Sequence, residues 1–468
     1  MIKRITFLFV LLFALSACSE EAVEEIPTPG PSSKEDKVNV WIEKIMRDNY
    51  LWYREIPEKS SLNFNKDPQT FFKGLLSSKD GKDSPNGHHY FSYLEQVSTT
   101  KSIVNSKDSY GFDFAIAKLR DEGGVSFNIA VVLYVQKKSP ASEAGLKRGD
   151  WILGINGPVG SISDYDNLRH GDAATFLMGE RKGENGIAVA EELKIGRSRA
   201  IEDTPFLKDS VYEIAGKKIG YLAYNKFAYG PEEFNMENKA YNEQMLDLFK
   251  QFKEQNVTEF VLDLRYNGGG YVQCAELLAS LLAPKEALDK TFCIFEYNDK
   301  NSQYNYHSKF LKTPEVLAGN LNLQRLYVLT GQSTASSSEL IINNLGAYIP
   351  VRTIGTKTVG KTVGMSVYDE SKKYGWVLSP VTFRSYNALH KADYENGFEP
   401  NIKVNEYAYE FAEFGDFKDP LLGKAIEEIT GQPALRSASL PLNIEIHYEP
   451  TYSHMNNMLV NHKSLEDE

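Results

Sequence analysis

Phe260-Val-Leu-Asp-Leu-Arg-Tyr-Asn-Gly-Gly-Gly-Tyr-Val-Gln-Cys-Ala-Glu-Leu-Leu-Ala-Ser-Leu-Leu282 is a short apolar run, a glycine-rich turn and a second apolar run of helical length. The first run reads as a buried strand over 260–264, and the second as a helix over 273–282. The same unit recurs downstream, with a strand over 326–330 and a helix over 336–346. Upstream, 218–224 reads as another strand and 231–255 as a long polar helix carrying Met245, Leu246, Leu248 and Phe249. Repeated strand–turn–helix units predict an α/β core, placed at 206–432.

The joints of these units carry the chemistry. Asp263-Leu-Arg-Tyr-Asn-Gly-Gly-Gly270 leaves a strand and enters a helix, and glycines there permit close backbone approach with N–H groups facing an anion. Neither glycine motif of nucleotide-binding loops is present, so a pocket for an acyl-transfer oxyanion is the reading that remains. Thr334-Ala-Ser-Ser-Ser-Glu339 places hydroxyls at a helix start. Ser336-x-x-Glu339 is a capping box by pattern, and the same position suits a nucleophile, because the helix N-terminus stabilises developing negative charge. Gly360-Lys361 follows, with Lys361 standing 25 residues after Ser336.

Residues 109–200 have a different texture. Tyr110-Gly-Phe-Asp-Phe-Ala-Ile116 and the run over 130–135 read as short strands. Between them and a third strand lies Ser139-Pro-Ala-Ser-Glu-Ala-Gly-Leu-Lys-Arg-Gly-Asp-Trp-Ile-Leu-Gly-Ile-Asn-Gly157. Pro140 opens a short helix, Gly145 closes it, and Gly149-Asp150 turns the chain into the core. The run resembles the signature of a PDZ domain. That resemblance implies a β-rich domain over 99–205 that binds extended peptides by strand addition, with Tyr110, Gly111, Phe112, Asp113 and Phe114 supplying the carboxylate-binding loop and strand.

Taken together, D-L-R-x-N-x-G-G, [ST]-A-S-x-S-E and a Gly-Lys at the stated spacing resemble the C-terminal processing (tail-specific) peptidases. In that Ser-Lys family a PDZ domain accompanies a crotonase-like α/β core, and the likeness runs from about residue 38 to 431, including Gly397-Phe-Glu-Pro400 and Asp419-Pro-Leu-Leu422. The resemblance implies Ser336 as nucleophile, Lys361 as general base, and backbone N–H groups of Gly269 or Gly270 and of Ser337 as the oxyanion hole. Lys serves as a base only when its pKa falls towards neutrality, which burial in an apolar setting achieves. Tyr266, Val363 and Met365 are neighbours expected to supply that setting. The family's usual Gln, four residues after the Lys, is here Met365, which offers only a weak acceptor. His88 and His89 lie where a tricorn-like branch carries its catalytic His, and they are the alternative bases. A silent peptide-binding scaffold and an acyl hydrolase such as a thioesterase are the competing functions. The chemistry calls for no metal and no organic cofactor.

The remaining sequence places the molecule. Lys3 and Arg4 precede an apolar stretch over 5–14, and Leu15-Ser16-Ala17-Cys18 follows. This resembles a bacterial lipoprotein signal ending at residue 18, with Cys18 lipidated and the body anchored to a membrane of the cell envelope. The acidic, Pro-rich 19–36 reads as a disordered tether. Residues 37–98 read as a small helical region, with Val38, Trp41, Ile42, Ile45 and Met46 at helical spacing and a second helix over 67–76. A net charge of −11 without a basic stripe argues against a nucleic-acid partner, leaving proteins and peptides. Cys274 and Cys293 are either a pair or two buried thiols, and no His/Cys spacing predicts a zinc site. A strand is expected over 442–447 in the 433–468 extension, whose role the sequence does not assign.

Overall fold

Short β-branched and aromatic runs with both faces apolar suit the interior of a parallel sheet, and they form one here. In the computed structural model, which describes residues 34–84, 87–97, 108–120, 124–162, 165–182, 186–232, 235–433, 437–440, 444–447 and 458–461, the chain opens with helices α1 (Lys34–Asn49) and α2 (Pro68–Lys73). The PDZ-like module follows as β1 (Phe112–Arg120), β2 (Ser126–Val135), α3 (Pro140–Ala144), β3 (Trp151–Ile155), β4 (Ala174–Arg181) and β5 (Ile187–Ile195). Its strands pair antiparallel in the order β1-β2-β3-β4-β5. Ser139 caps α3 by accepting from the Ser142 N–H, and Gly145 ends it at φ 89°.

The α/β core comprises β6 (Phe206–Ile214), β7 (Lys217–Tyr224), α4 (Ala240–Glu254), β8 (Glu259–Asp263), β9 (Gly270–Tyr271), α5 (Val272–Leu282), β10 (Thr291–Tyr297), β11 (Tyr306–Lys309), β12 (Leu326–Thr330), α6 (Ser337–Leu345), β13 (Val351–Gly355), β14 (Val363–Glu370), β15 (Trp376–Ser379), β16 (Val381–Tyr386), β17 (Ile402–Lys403) and α7 (Pro420–Thr430). Two further strands, β18 (Ile444–His447) and β19 (Met458–Asn461), come after it. One sheet runs β6-β7-β8-β12-β13-β17, parallel except for the β6–β7 hairpin. One of its faces packs on α4, α5 and α6, and the other on Leu421, Leu422, Ala425 and Ile426 of α7. Phe260 is fully buried in this sheet, and removing such a side chain from water contributes on the order of 2–3 kcal/mol.

A second, eight-stranded mixed sheet has no counterpart in the strand–helix pattern of the sequence. It orders β9-β19-β14-β16-β10-β11, while β15 pairs β14 and the strand Tyr93–Gln96. The N-terminal block joins the core through this strand and through Val38, Trp41, Ile42, Met46 and Tyr50, which share one apolar cluster with α4 and α5.

Several boundaries differ from the sequence reading. The predicted helix over 231–255 begins only at Ala240. Asn235 and Asn238 accept local N–H groups from Glu237 and Ala240, which diverts the upstream chain from helix. α1 begins at Lys34, inside the stretch read as tether, and α2 ends at Lys73 because Gly74 follows. Cys274 and Cys293 are free buried thiols, and burial pushes both thiol pKa values up. The signal segment, Cys18 and the tether as far as residue 33 lie outside the described residues.

Candidate active site

β12 delivers the chain to the start of α6, and Ser336 stands at that joint as the helix N-cap with φ 60° and ψ −115°. A non-glycine residue held there carries strain of about 1–3 kcal/mol, which only a surrounding framework can hold. Here the frame is Glu339. The capping box closes on its backbone side, with the Ser336 N–H donating to Glu339 Oε2 at 2.9 Å. Ser336 Oγ is buried and without a hydrogen-bond partner, so the hydroxyl is not used as a cap.

The same carboxylate organises the loop before β14. Its Oε2 accepts the Lys361 N–H at 2.9 Å, and its Oε1 accepts the Gly360 N–H and the Thr358 hydroxyl, each at 2.6 Å. One oxygen thus ties the backbones of Ser336 and Lys361 together. Glu339 is fully buried, and desolvation pushes its carboxyl above the usual range while the four donors oppose that.

Lys361 is only 1% exposed, and burial lowers its pKa to about 7, against the opposing charges of Asp80 and Glu339. Its Nζ lies 4.6 Å from the centre of the Phe91 ring and 3.9 Å from Met365 Sδ. Met365 therefore does meet the amine, as the spacing predicted. Tyr266 does not contribute as expected. Its hydroxyl accepts from Arg148 Nη1 at 2.8 Å, and its ring faces Tyr134 and Phe414, so it belongs to the PDZ contact.

The glycine turn reaches the helix start through Ser337, whose Oγ donates to the Gly270 carbonyl at 2.7 Å, and through Ser338, whose Oγ donates to Asn267 O at 2.9 Å. The Gly269 N–H donates to Asn267 Oδ1 at 2.9 Å, so this amide does not serve an oxyanion hole. Gly270 has φ 131°, and a Cβ there would lie 2.1 Å from Phe227 O, which excludes any side chain.

Sequence reading missed Asp80 and Phe91. Both come from the N-terminal block, which offered no motif. Asp80 is fully buried and accepts from the N–H groups of Phe91 and Ser92 and from the Tyr50 hydroxyl, at 3.0, 3.1 and 2.9 Å. That network fixes Phe91 over the amine. His88 sits on the hairpin formed by Lys82–Ser84 and Gly87–His89, with Nδ1 2.8 Å from Asp83 Oδ1 and Nε2 2.8 Å from Asp80 O. Both ring nitrogens are engaged, and the Asp83 carboxylate leads in holding its pKa above the ordinary value. His89 pairs with Lys82 in the same hairpin.

In the PDZ-like module, Tyr110 and Gly111 form a tight loop. The Tyr110 N–H donates to Arg169 O, and Ser139 Oγ donates to Gly111 O. Phe112 and Phe114 are buried, and Asp113 begins the β1 edge with them. The module is fastened to the core by Arg148, which donates to Glu406 Oε2 at 3.0 Å. Arg265, two residues beyond β8, donates to the same oxygen at 2.9 Å and also meets Asp263 and Asp419.

Sequence comparison gives this arrangement a family. Residues 218–404 match Peptidase family S41, residues 37–93 the Peptidase S41 N-terminal domain, and residues 131–174 a PDZ domain. The chain belongs to the S41 peptidases, and that membership supports a serine-type peptidase. A crystal structure from Bacteroides fragilis assigned to the S41 proteases is 33% identical, superposes with a TM-score of 0.73, and aligns over 84% of this chain and 97% of its own. A carboxyl-terminal-processing protease of Synechocystis is 26% identical over 321 residues, 66% of this chain and 67% of that protein. A carboxy-terminal processing protease of Bacillus subtilis is 26% identical over 347 residues, 71% and 63% of the two chains. No helix among the described residues is long and apolar enough to cross a membrane.

Proposed function

We propose that the protein is a serine endopeptidase that forms an acyl-enzyme on Ser336 with Lys361 as general base. The observation that carries this reading is the double use of Glu339 Oε2, which holds a buried, unpartnered hydroxyl and a buried, low-pKa amine on adjoining backbone. Neutral Lys361 takes the Ser336 proton as Oγ attacks the peptide carbonyl. The N–H groups of Gly270 and Ser337 receive the resulting oxyanion. Collapse expels the amine half of the substrate, which takes its proton from Lys361, and water then hydrolyses the ester by the same exchange. Substrates are unstructured or C-terminal segments of exported proteins, captured at the β1 edge beside the Tyr110–Phe114 loop. The lipoprotein-like leader ending at Cys18 supports a lipid-anchored location on the cell envelope.

The test is hydrolysis of casein together with labelling by a fluorophosphonate. Wild type should cleave and label, and Ser336→Ala and Lys361→Ala should each lose cleavage by at least about 10³-fold. Full activity in Lys361→Ala with loss in His88→Ala would assign the base to histidine instead. Peptide binding without turnover in the wild type would make the protein a scaffold.

A further inference from the structure

The segment beyond the catalytic core does something specific in the fold. β19 is inserted between β9 and β14, parallel to both. Its register on one side is Gly270↔Met458 and Tyr271↔Leu459. On the other side it is Met365↔Leu459, Ser366↔Val460 and Val367↔Asn461. β9 is the end of the glycine turn, and β14 starts two residues after Lys361. Leu459 therefore stands level both with the residue after Gly270 and with Met365, whose sulfur touches the Lys361 amine. Any chain in this position crosses the site between its two halves.

We infer that the gap between β9 and β14 is a slot for an extended peptide strand, and that residues 458–461 fill it as an intramolecular competitor of substrate. This rests on the peptidase reading above. A strand held by two parallel neighbours is bound mainly through its backbone, so the slot accepts extended chain with little demand on sequence, and one direction of entry is fixed. The same downstream segment also supplies β18, which adds antiparallel to the β1 edge from Ile444↔Leu119 to His447↔Ile116. One stretch of chain thus occupies both peptide-accepting edges, the PDZ edge and the catalytic one. Being tethered, it acts at an effective concentration on the order of millimolar, which a substrate in solution has to displace.

The experiment uses binding, so that it stands apart from whether Ser336 is the nucleophile. A fluorescein-labelled peptide of residues 456–463 is titrated into full-length Ser336→Ala protein, and into the same protein carrying Leu459→Pro and Val460→Pro. Proline has no N–H to give the ladder, so the tethered strand is dislodged. The proline variant is expected to bind the peptide at least 5-fold more tightly, with a melting temperature lowered by only a few degrees. A chain ended after residue 447, which keeps β18, should behave alike and covers the case in which the prolines disturb folding. Equal or weaker binding in these folded variants overturns the inference. Casein hydrolysis by the corresponding Ser336 proteins, measured in parallel, should show a lower KM at similar kcat. Absence of cleavage in all of them would sink the peptidase reading while leaving the binding result to decide on the slot.

Discussion

Lys361 is held in its fold at a thermodynamic disadvantage, and its neighbours define how large that is. Its pKa falls from 10.5 to about 7 because the amine is desolvated. Between these values the unfolded chain binds a proton that the folded chain does not. Stability from this group therefore falls as pH drops from about 10.5 to 7 and levels off below. At about 1.4 kcal/mol per unit, tempered by relaxation, Lys361→Met should stabilise the protein by on the order of 3 kcal/mol at pH 7 and hardly at all near pH 11. Urea unfolding at the two pH values checks this. Catalysis follows the same direction: on the proposed mechanism the base is the neutral amine, so kcat/KM should also rise with pH through about 7. Asp80 opposes the drop in pKa. Asp80→Asn keeps the shape of the Tyr50–Phe91–Ser92 network but removes the charge, so the acidic limb of the profile should move to lower pH. A limb that stays in place would show that Asp80 is structural only.

At the scale of elements, the site depends on joints rather than on whole helices or strands. Glu339 binds the first turn of α6 to the loop before β14 through four donors, so Glu339→Gln sets an amide NH2 against N–H groups and should destabilise by about 2–4 kcal/mol, read by chemical unfolding. Gly270→Ala forces a Cβ against Phe227 O and should abolish hydrolysis and lower the melting temperature. These joints were legible in the sequence because short apolar strands ending in Gly- or Ser-rich turns leave a local pattern. The mixed sheet was not legible. β10, β14 and β16 interleave polar residues such as Glu296, Ser366 and Arg384 among apolar ones, and their pairings join segments far apart in the chain. Ser336 and Lys361 could be named from the family resemblance that their motifs carry, whereas Asp80 and Phe91 reach the amine only through tertiary packing. Asn235 and Asn238 illustrate the converse, since local hydrogen bonds overrode a helical-looking stretch.

For the whole molecule the decisive contact is the one between module and core. Arg148 is fully desolvated, and its guanidinium meets Glu406, the Tyr266 hydroxyl and the carbonyls of Leu133 and Ala412, with Phe411 and Phe414 on its faces. Arg148→Ala would leave Glu406 short of a partner and should cost about 3–5 kcal/mol, seen as a lower denaturant midpoint. An unaltered midpoint would mean that the module is held by its apolar contacts alone. The shared Glu406 oxygen also has a bearing on protein engineering. A PDZ domain borrowed from another protein cannot simply be spliced in at residues 108–200, because the graft would strip one cation from a carboxylate whose other cation anchors the glycine turn. A working chimera has to bring its own arginine at the position before Gly149, or replace Glu406 in the same step with an uncharged residue.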